Sequence, residues 1–252
     1  MAQPLTVIGV KAATEQSQTC WSCGSMRAEH FCEACGKVQP PAPVDYFSYF
    51  GLARKLDVDV AALEKDFYEL SRRLHPDINA RAGGQEQEWS LQQSSMLNDA
   101  HRTLKDPVRR TQYLLRLEGI ELEEQSRSAT ERARATGAVK KQIVPPGLLE
   151  EVFELNMQLE ELRAQKKMGE DDPALIEEIG RQKLELEEKY EALLDELKED
   201  WKKWDALIER TQAGAPVSQE ERKHALDKMV DVLNRRNYIR NLVRDVSETL
   251  EN

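Results

Sequence analysis

Four cysteines, Cys20, Cys23, Cys32 and Cys35, are the only ones in the 252-residue chain, and they fall in two Cys-x-x-Cys pairs separated by eight residues. Thiolates at that spacing fit a tetrahedral four-cysteine zinc site. Each pair is followed by glycine, Gly24 and Gly36, which suits the left-handed turn that lets backbone N–H groups point at the sulfurs. Four sulfurs close the shell, so one structural zinc is expected to fold the segment and not to catalyse. Two disulfides or a redox pair would use the same residues; a compartment that keeps thiols reduced works against them. His30 is a substitute ligand that a full shell does not need.

A second group with chemical potential is His75-Pro76-Asp77, preceded by Arg72 and Arg73. Leu63, Phe67, Leu70 and Leu74 recur at i, i+4, i+7 and i+11, one face of a helix that ends where Pro76 pushes His75 out of the α region. Residues 78–85 contain Gly83-Gly84 and read as an open loop. A second helix is predicted from Gln85 to Lys105, carrying Trp89, Met96, Leu97, Ala100 and Leu104. The triplet therefore sits at the tip between two helices, with cations beside it. No plausible catalytic dyad accompanies it: His101 and His224 lie in helical patterns without a Cys- or Ser-based motif, so an enzyme is not expected.

The elements around these residues follow from the pattern. Residues 1–19 show no periodicity and read as a loose leader; the cysteine unit spans 20–40, and Gln39 to Pro43 is a stiff connector. Asp45 to Leu52 contains a short aromatic helix with Tyr46, Phe47, Tyr49 and Phe50. Asp57 or Asp59 can cap the helix that follows. Asp106-Pro107 restarts the chain into a fourth helix bearing Tyr113, Leu114 and Leu117, which closes a domain over 45–120. Residues 121–147 are polar, closed by Pro145-Pro146-Gly147, and read as a linker. Residues 148–252 form three amphipathic helices. The first carries Leu148, Val152, Leu155, Leu159 and Leu162. The second runs from about Pro173 to Thr211. The third opens at Ser218 with Glu221 as a capping box. Short joints between them predict an antiparallel three-helix bundle. Leu149, Phe153 and Met157 step off the first core stripe, and Tyr238 and Leu242 do likewise on the third, which suggests a partner surface.

Composition sets limits. The chain is 40% hydrophobic and 33% charged with 12 Gly and 10 Pro, which favours an all-α fold. No apolar run approaches the ~20 residues that cross a bilayer, so no membrane partner is expected. Net charge is −10. Residues 147–252 hold 17 Lys and Arg against 27 Asp and Glu, which argues against nucleic-acid binding through phosphate neutralisation. The first 19 residues lack Arg and a secretory pattern. A cytoplasmic protein is expected, with the mitochondrial matrix open if a transit peptide has been removed.

The ordered series CWSCG, FCEACGKVQPP, DYFSYFGL, LHPD, LNDAHRTLKDPVRRTQYLLRLEGIEL, PPGLLEEVFELN and RNYIRNL resembles the HscB-type J-domain co-chaperones of iron–sulfur cluster assembly, those with an N-terminal zinc-binding extension. The resemblance covers about Cys20 to the C-terminus. It implies a J-domain hairpin joined to a three-helix bundle. It also implies two partners, an HscA/DnaK-type heat-shock ATPase and an IscU-type scaffold. Carried over by residue, His75, Pro76 and Asp77 match the triplet that stimulates the ATPase, and Arg72 and Arg73 would meet its acidic face. Leu149, Phe153 and Tyr238 match scaffold-holding positions. Met157 and Leu242 extend that face and Glu154 adds a polar rim. Ile78 stands where the family often has lysine, and Glu150 where it often has an apolar residue. Eukaryotic members that look like this often work in mitochondria. Three other readings use the same features. A general J-protein with another client would need a broad peptide groove. A zinc-ribbon module bound to nucleic acid would need basic residues near the cysteines, yet residues 1–44 hold three cations and three anions. The cysteines could also hold a cluster or sense redox state.

Overall fold

The computed structural model describes residues 19–25, 30–75, 77–79, 82–120, 122, 146–170 and 172–251. Expectations for the leader up to residue 18, for Pro76 and for nearly all of the 121–145 stretch lie outside them. The described residues are mainly helical, with no extended strand among them; Phe31 and Val38 form an isolated antiparallel bridge. The helices are α1 (Tyr46–Tyr49), α2 (Val60–Leu74), α3 (Gly84–Lys105), α4 (Pro107–Leu117), α5 (Leu149–Met168), α6 (Pro173–Gln212) and α7 (Gln219–Glu251), with a 3₁₀ turn at Pro146–Leu148. The chain divides into two compact units: Met1–Arg54 with Val58–Pro107, and Lys55–Asp57 with Val108–Asn252.

In the first unit, Asp45 caps α1 by accepting from the Ser48 N–H at 3.0 Å and pairs with Arg54 at 2.9 Å. Of the two candidate caps for α2, Asp59 is the one used: its carboxylate accepts from the backbone N–H groups of Ala61 and Ala62. Helices α2 and α3 pack as a hairpin, with Leu74, Leu97 and Ala100 in its core beside Tyr49 of α1. Phe31 and Val38, from the cysteine segment, belong to that same core. The segment predicted as a unit at 20–40 is thus packed onto the hairpin.

The second unit holds α4 to α7. Its three long helices run up, down and up. Gly169, in the left-handed region at φ 75°, ends α5. Asp172 then caps α6, where Pro173 takes the first helical position. The predicted capping box opens α7: Ser218 N–H donates to Glu221 at 2.8 Å and Glu221 N–H donates to Ser218 Oγ at 3.1 Å. Val152, Leu155, Leu159 and Leu162 of α5, Ile179, Leu193, Leu197 and Trp204 of α6, and Met229, Leu233, Ile239 and Val246 of α7 are buried. Cross-helix ties agree with this order: Arg235 to Glu196, Arg163 to Asp245, and Lys189 to Glu151.

Helix α4 was expected to close the hairpin domain, yet from Val108 onward it packs within the second unit. The buried Trp201 indole donates to Thr111 Oγ1 at 2.9 Å, Arg110 lies over that indole, and Arg222 pairs with Glu118 at 2.8 Å. The short segment Lys55–Asp57 belongs to this unit too. The Leu56 and Asp57 N–H groups donate to the Asp205 carboxylate at 2.7 and 2.8 Å. Burial raises that carboxyl, and those two N–H groups oppose the rise.

Candidate functional site

The four sulfurs lie within 4.8 Å of one another, with Cys20 to Cys35 at 3.6 Å and Cys23 to Cys32 at 3.5 Å. All four cysteines are free thiols. A tetrahedron with metal–sulfur bonds of ~2.3 Å has edges of roughly 3.8 Å, so this donor set can hold a metal ion. Two similar turns build it. The Gly24 and Gly36 N–H groups donate to the Cys20 and Cys32 carbonyls at 2.9 and 2.8 Å, and both glycines take the left-handed conformation expected for them. Burial alone would raise the Cys20 thiol; the backbone N–H groups of Cys23 and Ser22 and the neighbouring sulfurs outweigh it and bring it down to about 6. Cys35 behaves oppositely. Its hydrogen bond with the Lys37 backbone lowers it, but burial and the three sulfurs prevail and push it up to about 12. A metal ion bound here would be held by the four sulfurs as thiolates.

His30 faces away from the sulfurs. Its Nε2 donates to the Tyr49 carbonyl at 3.0 Å, and its Nδ1 lies 3.1 Å from Gln93 Oε1. It is part of a polar network that fastens the cysteine segment to α1 and α3. Gln93 Nε2 donates to the Gln39 carbonyl at 3.1 Å, and Tyr49 Oη donates to the Gln93 carbonyl at 3.0 Å. The Val38 N–H donates to the buried Glu86 at 3.1 Å, and the Trp21 indole donates to the Val38 carbonyl at 2.9 Å while meeting Trp89 edge to face. Sequence reasoning missed Glu86, Gln93 and Gln39. Each looks like a solvated helix or loop residue, and only their burial gives them away.

The end of α2 is also fixed to α3. Ser90 and Ser94 hydroxyls donate to the Leu74 carbonyl at 2.6 and 2.8 Å, satisfying an acceptor that a helix end otherwise leaves open. Asn79 Nδ2 donates to the Arg73 and His75 carbonyls at 3.0 and 3.2 Å and to Ser90 Oγ at 3.1 Å. These three residues hold the turn that carries the triplet, and the sequence reading had passed over them. His75 leaves the helix extended, at φ −59° and ψ 130°, as expected before proline. Its Nδ1 accepts from the Asp77 N–H at 3.2 Å. With Nδ1 an acceptor, the ring orders the turn, and the Asp77 carboxylate stands 89% exposed. Arg72 and Arg73 are exposed beside it. Arg73 is further placed over the Phe31 ring, its guanidinium carbon 3.9 Å from the ring centroid.

The residues predicted to form an apolar partner face separate into two groups. Leu149, Phe153 and Met157 are 53%, 68% and 60% exposed, one stripe along α5 with Glu154 exposed next to it. Tyr238 and Leu242 are only 5% and 7% exposed. This corrects the reading of them as lying off the core: α7 packs against both α5 and α6, so its apolar stripe is wider than a heptad seam.

No family model matches the chain. It is similar to the iron–sulfur cluster co-chaperone protein HscB of Mus musculus, 39% identical over 126 residues, 47% of this chain and 54% of that protein. It is similar to the HscB protein of Homo sapiens, 31% identical over 174 residues, 67% of this chain and 68% of that protein. The match thus spans about half the length of the mouse relative and two thirds of the human one. Among solved structures, the crystal structure of human co-chaperone protein HscB aligns with a TM-score of 0.57 over 92% of this chain and 98% of that one, at 23% identity, which shows a shared fold.

Proposed function

Because the chain belongs to the HscB family of iron–sulfur cluster co-chaperones, we propose that it couples an HscA/DnaK-type heat-shock ATPase to an IscU-type scaffold. The observation that carries this reading is the exposed Asp77 carboxylate on a turn ordered by His75, with Arg72 and Arg73 beside it. Asp77 accepts charge-assisted hydrogen bonds from a cation of the ATPase, and the two arginines steer encounter with an acidic face. Pro76 completes the triplet. The exposed stripe Leu149, Phe153 and Met157, rimmed by Glu154, takes the scaffold. Tyr238 and Leu242 are buried in the bundle; the face itself is the α5 stripe.

Mechanistically, the chain acts as a tether. Holding scaffold and ATPase at once raises their effective concentration, to about the millimolar range for linked modules. Hydrolysis on the partner then closes it on its client, and the scaffold conformation that releases its cluster is favoured. Cys20, Cys23, Cys32 and Cys35 would hold a zinc ion, which would supply folding energy. The compartment is one that keeps thiols reduced, the cytoplasm or the mitochondrial matrix.

Steady-state ATP hydrolysis by the cognate ATPase, with this chain and the scaffold added singly and together, tests the reading. Stimulation greatest with both present is expected. Asp77→Asn should abolish it while scaffold binding persists. Stimulation unchanged by Asp77→Asn would refute the role given to the triplet, and stimulation indifferent to the scaffold would favour a general J-protein with another client.

A further inference from the structure

The metal site and the turn are physically continuous. Phe31 precedes Cys32, and its ring is buried in the hairpin core with Leu74, the last residue of α2. The Cys32 N–H donates to the Lys37 carbonyl at 2.9 Å, and the bridge from Phe31 to Val38 closes the same loop. The outer face of that ring carries the Arg73 guanidinium at 3.9 Å. An exposed arginine is ordinarily free to sample many rotamers; here a flat aromatic floor receives a flat cation, and the floor is anchored by a metal ligand one residue on.

We propose that Phe31 is the positioning residue for Arg73, and that through it the integrity of the four-cysteine site sets how the chain meets its ATPase partner. The partner half of this statement rests on the function proposed above; the Phe31–Arg73 half does not. Loss of the metal frees the Cys32–Lys37 loop, Phe31 loses its fixed orientation, and Arg73 loses the surface that holds its guanidinium. The encounter patch then keeps its charge but loses part of its order. A cysteine unit with this role is a gate on co-chaperone competence as well as a folding device.

The test uses the full chain, metal-loaded, with Phe31→Leu, Phe31→Tyr, Arg73→Gln and the Phe31→Leu/Arg73→Gln double variant. Leucine keeps apolar volume and removes the π face; tyrosine keeps both. Two readouts apply. In NMR spectra of the arginine side chains, Arg73 should show ring-current-shifted resonances in the native chain and in Phe31→Tyr. The shift should vanish in Phe31→Leu and in native protein stripped with a chelator. In stopped-flow association with the ATPase, Phe31→Leu should slow binding about two- to five-fold, the size of an exposed cation–π contact, and should add nothing once Arg73 is already Gln. Arg73 resonances indifferent to Phe31→Leu would overturn the proposal. So would an equal slowing by Phe31→Leu with Arg73 present or absent, which would make Phe31 a core residue only. If the Arg73 resonances behave as expected while native protein fails to bind the ATPase at all, the positioning stands and the proposed function falls.

Discussion

Replacing Gln93 by Met tests whether the cysteine segment is held to the hairpin by the buried polar network or merely lies beside it. The two side chains are close in volume, so little cavity is made. What is lost is specific. His30 Nδ1 loses its polar partner 3.1 Å away, and the Gln39 carbonyl loses its donor at 3.1 Å. Tyr49 Oη keeps an alternative acceptor, the Gln93 backbone carbonyl at 3.0 Å, so it contributes little to the cost. A buried polar group left without a partner costs about 1–3 kcal/mol. Two such groups, one of them partly reachable by water, give an expected loss of roughly 2–4 kcal/mol in the first unit. Denaturant unfolding followed by circular dichroism reads the stability, and the rate at which a thiol reagent reacts with the four cysteines of the folded, metal-loaded chain reads undocking. Both should respond to Gln93→Met. Gln92→Met, at an exposed neighbour, should stay within about 0.5 kcal/mol. If Gln93→Met matches that control in stability and in thiol reactivity, the network does not hold the segment and the docking argument fails.

Other outcomes are fixed by the same geometry. Tyr238→Ala removes a buried aromatic and should destabilise the bundle by about 3–5 kcal/mol, whereas Phe153→Ser on the exposed stripe should change the stability by no more than about 0.5 kcal/mol. Trp201→Phe removes the indole donor to the buried Thr111 hydroxyl and should cost about 0.5–1.5 kcal/mol, read by urea unfolding. The Arg210 guanidinium, with the Ser218 backbone N–H, holds the Glu221 carboxyl at about 2 against its ordinary 4.5. Its stabilising effect is therefore complete above pH 4.5 and lost as pH falls toward 2, and Glu221→Gln should flatten the acid limb of the stability profile in that window. Stripping the metal should change the Trp21 emission, because that indole sits between Lys37 and Trp89 on the cysteine segment. An unchanged spectrum would mean that the segment folds without a cation.

Elements with local signatures were legible in the sequence. Asp59, Ser218 with Glu221, and Pro173 announce helix starts through side-chain chemistry that acts within four residues, and the structure uses each as expected. The cysteine pairs were legible for the same reason. Tertiary choices were not. Helix periodicity tells which face is apolar but not how many neighbours cover it, so Tyr238 and Leu242 looked spare when α7 in fact lies against two helices. Glu86, Gln93 and Gln39 are polar in type and buried in place, and no pattern of residue types separates them from solvated neighbours. Ser90 and Ser94 cap the Leu74 carbonyl, and Asn79 the Arg73 and His75 carbonyls, across a loop and beyond the reach of any spacing rule. Helix α4 follows α3 after one residue, yet its partners Trp201 and Arg222 lie some 90 to 105 positions further along the chain, which sequence adjacency cannot anticipate.

The docked cysteine segment has a physical reason. A two-helix hairpin of this length is a poor container, because small bodies bury too little apolar surface to offset the entropy of ordering. Here α2 and α3 bury Leu74, Leu97 and Ala100, and the third side of that core is filled by Tyr49 from α1 and by Phe31 and Val38 from the cysteine segment. The segment lacks a core of its own; the hairpin lacks a lid. A cation bound at the thiolates would lower the entropy of the lid, and the lid would complete the core that ends at Leu74. His75 and Asp77 begin at the next residues, held by Ser90, Ser94 and Asn79. The ordering of the turn is thus continuous with the ordering of the metal site. Substitutions that loosen the segment should weaken the turn first.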